Sequence, residues 1–276
     1  MKKHLPTIML ILVLLVGLSL LLYPTVSDYW NSLHQSKAIA SYAEEVANLD
    51  ENKYEEVWAN ALEYNQSLPG RENPYLVTDE QRAVYESLLN IGGNGIMGYI
   101  EIPKIECSLP IYHGTDENIL QVAIGHLDWT SLPTGGESTH CVISGHRGLP
   151  SAKLFTDLDQ LIVGDLFVMR VLDETLTYQV DQILIVEPDD TKALLIEEGK
   201  DYCTLVTCTP YGVNSHRMLV RGHRVENQAE AVIIRVTADA LQIDPLIVAS
   251  VVAVPLLLLL VIFVFIGDGV RRRRRK

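Results

Sequence analysis

Thr204-Leu-Val-Thr-Cys208-Thr-Pro-Tyr-Gly-Val-Asn-Ser-His216-Arg217-Met-Leu-Val-Arg-Gly222 places a thiol and a fixed positive charge at the two ends of one turn. Its flanks, Thr204 to Thr207 and Met218 to Val220, are β-branched and apolar, so both read as strands. Pro210-Tyr-Gly-Val-Asn between them reads as a loop. Cys208 then ends one strand and Arg217 begins the next. A thiol is a good nucleophile only as thiolate, and a nearby cation favours that form. Arginine keeps its charge at every physiological pH, so Arg217 is a permanent source of that field. The plain alternative is that Cys208 is a small buried hydrophobe. A charge beside a buried thiol is costly unless it serves a purpose, which weighs against that alternative.

A nucleophile of this kind needs a base. Cys141-Val-Ile-Ser-Gly-His146-Arg-Gly-Leu-Pro supplies one, again at the end of an apolar β-type run with Gly and Pro behind it. Histidine can give a proton to a leaving amine and take one from the next nucleophile.

With these residues the chain resembles a known family. Thr204-Leu-Val-Thr-Cys208, the arginine nine residues on and Ser-Gly-His146-Arg-Gly are similar to the signature of sortases, the cysteine transpeptidases of the Gram-positive surface. Gly-Ile-Met-Gly98-Tyr-Ile-Glu-Ile-Pro-Lys-Ile, Leu109-Pro-Ile-Tyr-His-Gly-Thr and Gly125-His-Leu-Asp-Trp-Thr-Ser-Leu-Pro-Thr-Gly-Gly resemble the pilus-assembling class C branch. The resemblance covers residues from about 40 to 225. It implies an eight-stranded β-barrel whose catalytic residues are His146, Cys208 and Arg217. The implied substrate is a Leu-Pro-X-Thr-Gly-type sorting motif near the C-terminus of a pilin, cut between Thr and Gly through a Cys thioacyl intermediate. The implied acceptor is a Lys amine of another pilin, with housekeeping-type anchoring to peptidoglycan as the alternative within the family, and no cofactor or metal is implied. The resemblance also implies a lid at Asn73-Pro74-Tyr75, where pilus-class enzymes carry Asp-Pro-aromatic, the acid reaching the active-site arginine and the ring covering the thiol. Here Asn73 stands in place of the acid, so a charge-assisted bond becomes a neutral one.

Both ends of the chain are apolar. Leu5 to Tyr23 carry no charge and span roughly 28 Å as a helix, enough for a bilayer core. Pro245 to Gly267 form a second uncharged run, followed by the basic block Arg271 to Lys276; Lys2 and Lys3 precede the first. By the positive-inside rule both termini are cytoplasmic and the catalytic domain is extracellular, a two-pass arrangement in the cell membrane. A cleaved signal peptide is the rival for the first run, but the small-residue pattern Ala38-Ile-Ala40 lies far beyond the apolar stretch. The termini hold eight of the 22 basic residues and one of the 35 acidic ones, leaving the outer segment with 14 basic and 34 acidic residues, a net −20. Such a surface argues against nucleic acid and favours partners that carry lysine.

The domains expected are an anchor at 1–24, a helical region at 25–97 with the lid at about 67–78, a catalytic barrel at 98–226, a tether at 227–244, and an anchor with a basic tail at 245–276. Tyr29 to Gln66 has helical periodicity, and Thr78-Asp-Glu-Gln81 is a capping-box pattern opening a helix to about Ile91, ended by Gly92-Gly93. Strands are expected at 98–102, 109–112, 120–124, 140–145, 166–172, 175–187, 202–208 and 217–225, with short helices at 154–158 and 193–198. This mainly β pattern suits a closed barrel or a sandwich.

Three other functions compete. Cys203, Cys208, His216 and His223 superficially resemble zinc-finger spacing, but extended geometry separates the two thiols by about 16 Å. The same separation excludes a Cys203–Cys208 disulfide and leaves Cys107 with Cys141 as the possible pair. A cysteine protease would place His146 before Cys208 as caspases do, without their local signatures. A twice-anchored barrel serving as a receptor is the non-enzymatic reading. His113, His126 and His140 are expected to be structural.

Overall fold

The computed structural model describes residues 5–227. Helix α1 (Leu5–Ala47) is continuous through Pro24, so the expected boundary near residue 24 is not a break in the helix. Proline removes one backbone donor, yet the helix runs on through Thr25 to Ser32, residues of only middling helix propensity, to the Ala-rich stretch beyond. Residues up to Tyr29 belong to one compact unit and Trp30 onward to another. The stretch Met9–Ala47 is long and apolar enough to cross a membrane. The tether and the second apolar run lie outside the described residues.

Helix α2 (Glu51–Gln66) starts at an Asp50 cap. Helix α3 (Asp79–Ser87) opens with the capping box that Thr78 and Gln81 announce. It stops four residues short of the expected end, because Leu88 turns extended and Leu89 adopts a positive φ of 56° that drives its side chain into the core. Each helix docks against the barrel through a buried hydrogen-bonding side chain. Tyr42 donates to Met97 O at 3.1 Å and accepts from Leu172 N–H at 2.8 Å. Asn65, 2% exposed, bonds Leu132 through both backbone groups and also reaches Thr134 Oγ1. Tyr85 stacks on His126 and takes the Gly114 N–H at 2.9 Å. Buried partners of this kind fix docking geometry, since an unmet buried polar group costs about 1–3 kcal/mol.

The strands are β1 (Ile96–Ile102), β2 (Cys107–His113), β3 (Ile124–His126), β4 (Thr139–Ser144), β5 (Leu166–Val171), β6 (Glu174–Val186), β7 (Asp201–Thr209) and β8 (His216–Arg224). They close into a barrel in the order β1-β2-β3-β4-β7-β8-β6-β5. Seven agree with the expected strands to within two residues at each end. The eighth differs: 120–124 is mostly a short helix, α4 (Glu117–Leu120), and a turn, with β3 beginning at Ile124. Residues 154–158 form turns leading to a 3-10 turn at Leu158–Gln160, and 193–198 holds only the end of a 3-10 turn at Lys192–Leu194.

Strands β4 and β7 run parallel and are buried on both faces, so Cys141-Val-Ile143 and Leu205-Val206 send apolar side chains to both sides while His140, Thr204 and Thr207 are buried among them. Cys141, Ile143, Cys203 and Leu205 point into the barrel. Val142 and Val206 point out and join Leu219 beneath Leu194 and Trp129. Buried histidines hold the neighbouring loops, as expected for His113, His126 and His140. His113 bonds Gly95 O and Leu88 O, His126 bonds Ser131 O and Tyr85, and His140 bonds Leu195 O and Thr204 Oγ1.

Candidate active site

The turn after β7 begins with a cis Thr209–Pro210 bond, and the chain returns as β8 with Cys208 and Arg217 as direct cross-strand partners. The ladder runs one pair further than expected, to Thr209 and His216. Directly opposed residues lie on the same face, so the thiol and the guanidinium share one side of the sheet. By the two-residue period of a strand that side is the outer one, which also carries Val206 and Leu219.

His146 arrives on the same side through the parallel β4–β7 pair. Register pairs Ser144 with Val206. Beyond that rung, Gly145 N–H donates to Val206 O at 3.0 Å and Thr207 Oγ1 donates to Gly145 O at 2.8 Å. The same offset carried two residues further brings His146 level with Cys208. Gly145 has to be glycine, because a β-carbon there would stand 2.6 Å from Phe155 Cδ2 and 2.8 Å from Ile124 Cγ2. Phe155 N–H then bonds His146 O at 3.1 Å and turns the chain away from the barrel.

Arg217 Nη1 donates to Asn214 O at 3.3 Å and His216 O at 3.2 Å. Among the described residues no carboxylate pairs with it, so its charge faces the thiol side uncompensated. Arg147, the other basic side chain the motifs supply, is paired with Asp159 and is therefore not a second source of field for Cys208. Glu187 lies one residue beyond the rung that joins Val186 to Arg217, and it meets His216 Nε2 at 3.3 Å.

Cys208 is half-buried, and its three fellow cysteines, all free, are differently placed. The possible Cys107–Cys141 bridge is not formed. Their strands are separated by β3, roughly two strand spacings or about 10 Å, beyond disulfide reach. The partner of Cys141 across β4–β7 is Cys203, a pairing that strand order alone reveals. Cys107 is half-exposed as a residue, yet its sulfur faces Leu154 O and burial pushes the thiol up to about 12. Burial likewise raises the Cys203 thiol, which lies 3.6 Å from Met169 Sδ. The zinc-like spacing does not converge: Cys203 faces Gly222 on the ladder, Cys208 faces Arg217, and His223 lies 3.9 Å from Asp181. Among the described residues no group of three His, Cys, Asp or Glu side chains is placed to hold a metal.

A cavity of ≈ 630 Å³ opens over the same outer face, lined by Leu68, Pro74, Trp129, Leu194 and Ile196 among others. Asn73 Oδ1 accepts the Tyr75 N–H at 3.2 Å, closing a local turn rather than reaching Arg217. The Tyr75 ring, 44% exposed, packs edge-on against Trp129 with centroids 5.0 Å apart. Neither Trp129 nor Asp159 is among the residues that sequence reasoning singles out. An aromatic residue inside the Gly- and Pro-rich 125–136 loop is a usable signal for the first; nothing marks the second.

Residues 100–225 match the family model described as the Sortase domain. Among curated proteins, Sortase D of Bacillus subtilis is 33% identical over 131 residues, 46% of this chain and 63% of that protein, and Sortase A of Bacillus anthracis is 28% identical over 62% of its own length. The chain thus spans about three fifths of the length of these curated relatives. Among solved structures, sortase C of Streptococcus pneumoniae is 46% identical, with a TM-score of 0.62 over 70% of this chain and 98% of that one. Sortase C1 of Streptococcus agalactiae is 55% identical with a TM-score of 0.68, and the similarity covers 70% of this chain and the whole of that structure. A chain that reproduces all of a solved sortase at that identity, across the barrel on which Cys208 and Arg217 are paired, belongs to the sortase family.

Proposed function

We propose that the protein is a pilin-joining transpeptidase. The observation that carries this reading is the Cys208–Arg217 rung on the outer face of the barrel, with His146 brought level by the β4–β7 register. Cys208 attacks the Thr carbonyl of a Leu-Pro-X-Thr-Gly-type motif. Arg217 hydrogen-bonds the oxyanion as it forms, and His146 protonates the departing Gly amine. A lysine amine then opens the thioester and gives its proton to His146, which restores the free thiolate. Splitting amide exchange into two acyl transfers lowers each barrier, because an amine opens a thioester far more readily than an amide. The mainly apolar cavity beside Pro74 and Trp129 suits the Leu-Pro half of the motif, although Cys208, His146 and Arg217 do not line it. The acidic surface favours a lysine-bearing acceptor. The similar sortase C of Streptococcus pneumoniae is described in terms of its pilin substrate specificity, which supports a pilin as the substrate here.

The apolar half of α1 anchors the enzyme in this reading, with the Pro245–Gly267 run as a second anchor and the catalytic domain outside. The test is a sorting-motif peptide incubated with the full chain, with and without an added amine. A transpeptidase releases Gly in one turnover and needs the amine for efficient further rounds. Equal turnover without amine points to a protease, and no release at all points to a binding module.

Asn73-Pro74-Tyr75 is the lid in this reading, latched by the Tyr75–Trp129 pair. An edge-on aromatic pair contributes about 0.5–1.5 kcal/mol, so its loss raises the open fraction by roughly two- to tenfold. Tyr75→Ala and Trp129→Ala are each expected to speed iodoacetamide labelling of Cys208 by that factor, in a background with Cys107, Cys141 and Cys203 replaced. Labelling rates unchanged from the parent would remove the lid assignment.

A further inference from the structure

We infer that Arg147 and Tyr211 form a clamp that positions His146 against Cys208. The inference rests on the proposed transpeptidase reading for its kinetic readout. Arg147 follows His146 directly, and its side chain is only 10% exposed although it carries a charge. Asp159, from the 3-10 turn Leu158–Gln160, holds one end of the guanidinium. Its flat face lies 5.8 Å from the centre of the Tyr211 ring, within range of cation–π attraction. Tyr211 belongs to the turn between Cys208 and Arg217, so this contact joins the loop of the base to the loop of the nucleophile.

Two further observations point the same way. Gly148 N–H bonds Thr156 Oγ1 at 3.1 Å, and a β-carbon at Gly148 would stand 2.9 Å from Tyr211 Cε2, so the ring lies directly on the backbone of the base's loop. Arg147 Nε is buried without a hydrogen-bond partner among the described residues. A buried charged N–H with no acceptor is a poor way to gain stability, which marks the side chain as placed for geometry. The Asp159 carboxylate cancels most of the guanidinium's distant field, so the clamp acts by fixing His146 rather than by charge. Tyr211 is 61% exposed and contributes little to the core, which makes it the safer residue to change.

The test uses the full chain in detergent and a Leu-Pro-Glu-Thr-Gly peptide. Arg147→Ala and Tyr211→Ala are each expected to lower kcat for Gly release by about two- to fivefold, as the loss of a cation–π contact on an exposed ring predicts, with KM little changed. The double variant should lose no more than either single one, because the two residues act as one unit. Tyr211→Phe, which keeps the ring face, should recover what Tyr211→Ala loses. Arg147→Lys, which keeps the charge without the plane, should not recover the activity of Arg147→Ala. Losses that are additive, confined to KM or absent overturn the inference. If no chain cleaves the peptide, the transpeptidase reading fails, and the clamp is decided by the His146 ring resonance alone. A single sharp signal that broadens or doubles in Tyr211→Ala supports the clamp, and an unchanged signal refutes it.

Discussion

Replacement of Cys208 by alanine is expected to abolish both Gly release and amine transfer while leaving the melting transition within a degree or two of the parent, roughly the shift that 1 kcal/mol or less produces. Cys208 is half-buried near the end of β7, and alanine keeps the backbone rungs to Arg217 and its neighbours. The barrel loses one sulfur from its outer face and no packed core. In the proposed mechanism catalysis loses its nucleophile, a deletion that costs at least about 10⁴-fold in enzymes that work by acyl transfer. None of the remaining thiols can substitute. Cys141 and Cys203 point into the barrel, and burial keeps Cys107 protonated at neutral pH, with its thiol pushed up to about 12. The measurement is mass spectrometry of enzyme and peptide after a single turnover, alongside thermal denaturation. A thioacyl adduct or cross-linked product from the alanine variant above background would show that Cys208 is not the nucleophile.

Much of the architecture can be read from the chain because its strands carry period-two and β-branched signals and its turns carry Gly and Pro. Where sequence reasoning fails, short range competes with long range. Leu120-Gln-Val-Ala-Ile alternates like a strand, yet Leu120 closes the short helix α4 and pairing begins only at Ile124, where β2 supplies a parallel partner. Leu89 has no local reason to leave the helix; it does so to fill the core, at the cost of a positive φ. The cysteine pairing escapes sequence reasoning for a related cause. Strand order in a barrel is a property of the whole chain, so nothing near Cys141 shows that its neighbour is Cys203.

The site is legible to a different degree. Cys208 and Arg217 lie nine residues apart around one turn, so their cross-strand pairing follows from local geometry. His146 comes from 62 positions earlier, and its level with Cys208 follows only from the parallel register of β4 and β7 carried beyond the last rung by the Gly145 bonds to Val206 and Thr207. Tertiary partners such as Trp129 for Tyr75 and Asp159 for Arg147 leave no mark in spacing. Asn73 shows the limit of carrying a motif across. Its side chain closes a turn with Tyr75 N–H, a use open to asparagine and aspartate alike, so residue type alone does not place it near Arg217.

Arg217→Lys is expected to lower kcat for Gly release by about 10²- to 10³-fold although the charge is retained, the equivalent of roughly 2.7–4 kcal/mol for one oxyanion donor. Arg217 spends Nη1 on the carbonyls of Asn214 and His216, which fixes the plane of the fork relative to the turn. With the plane fixed, the remaining N–H groups are set in direction before any substrate arrives, and in the proposed mechanism an oxyanion forming at Cys208 would meet a donor that needs no reorganisation. Lysine offers one ammonium on a flexible stem. It can satisfy the turn carbonyls or reach the oxyanion, and it cannot do both in a defined geometry. The backbone rungs of β8 to Val186 and Cys208 do not depend on the side chain, so the fold should persist. Comparison with Arg217→Ala separates the two ways the residue can act. If the lysine variant is as slow as the alanine variant with KM little altered, Arg217 works through directed hydrogen bonds. If lysine restores near-parent turnover, the residue works through its field alone and the oxyanion assignment fails.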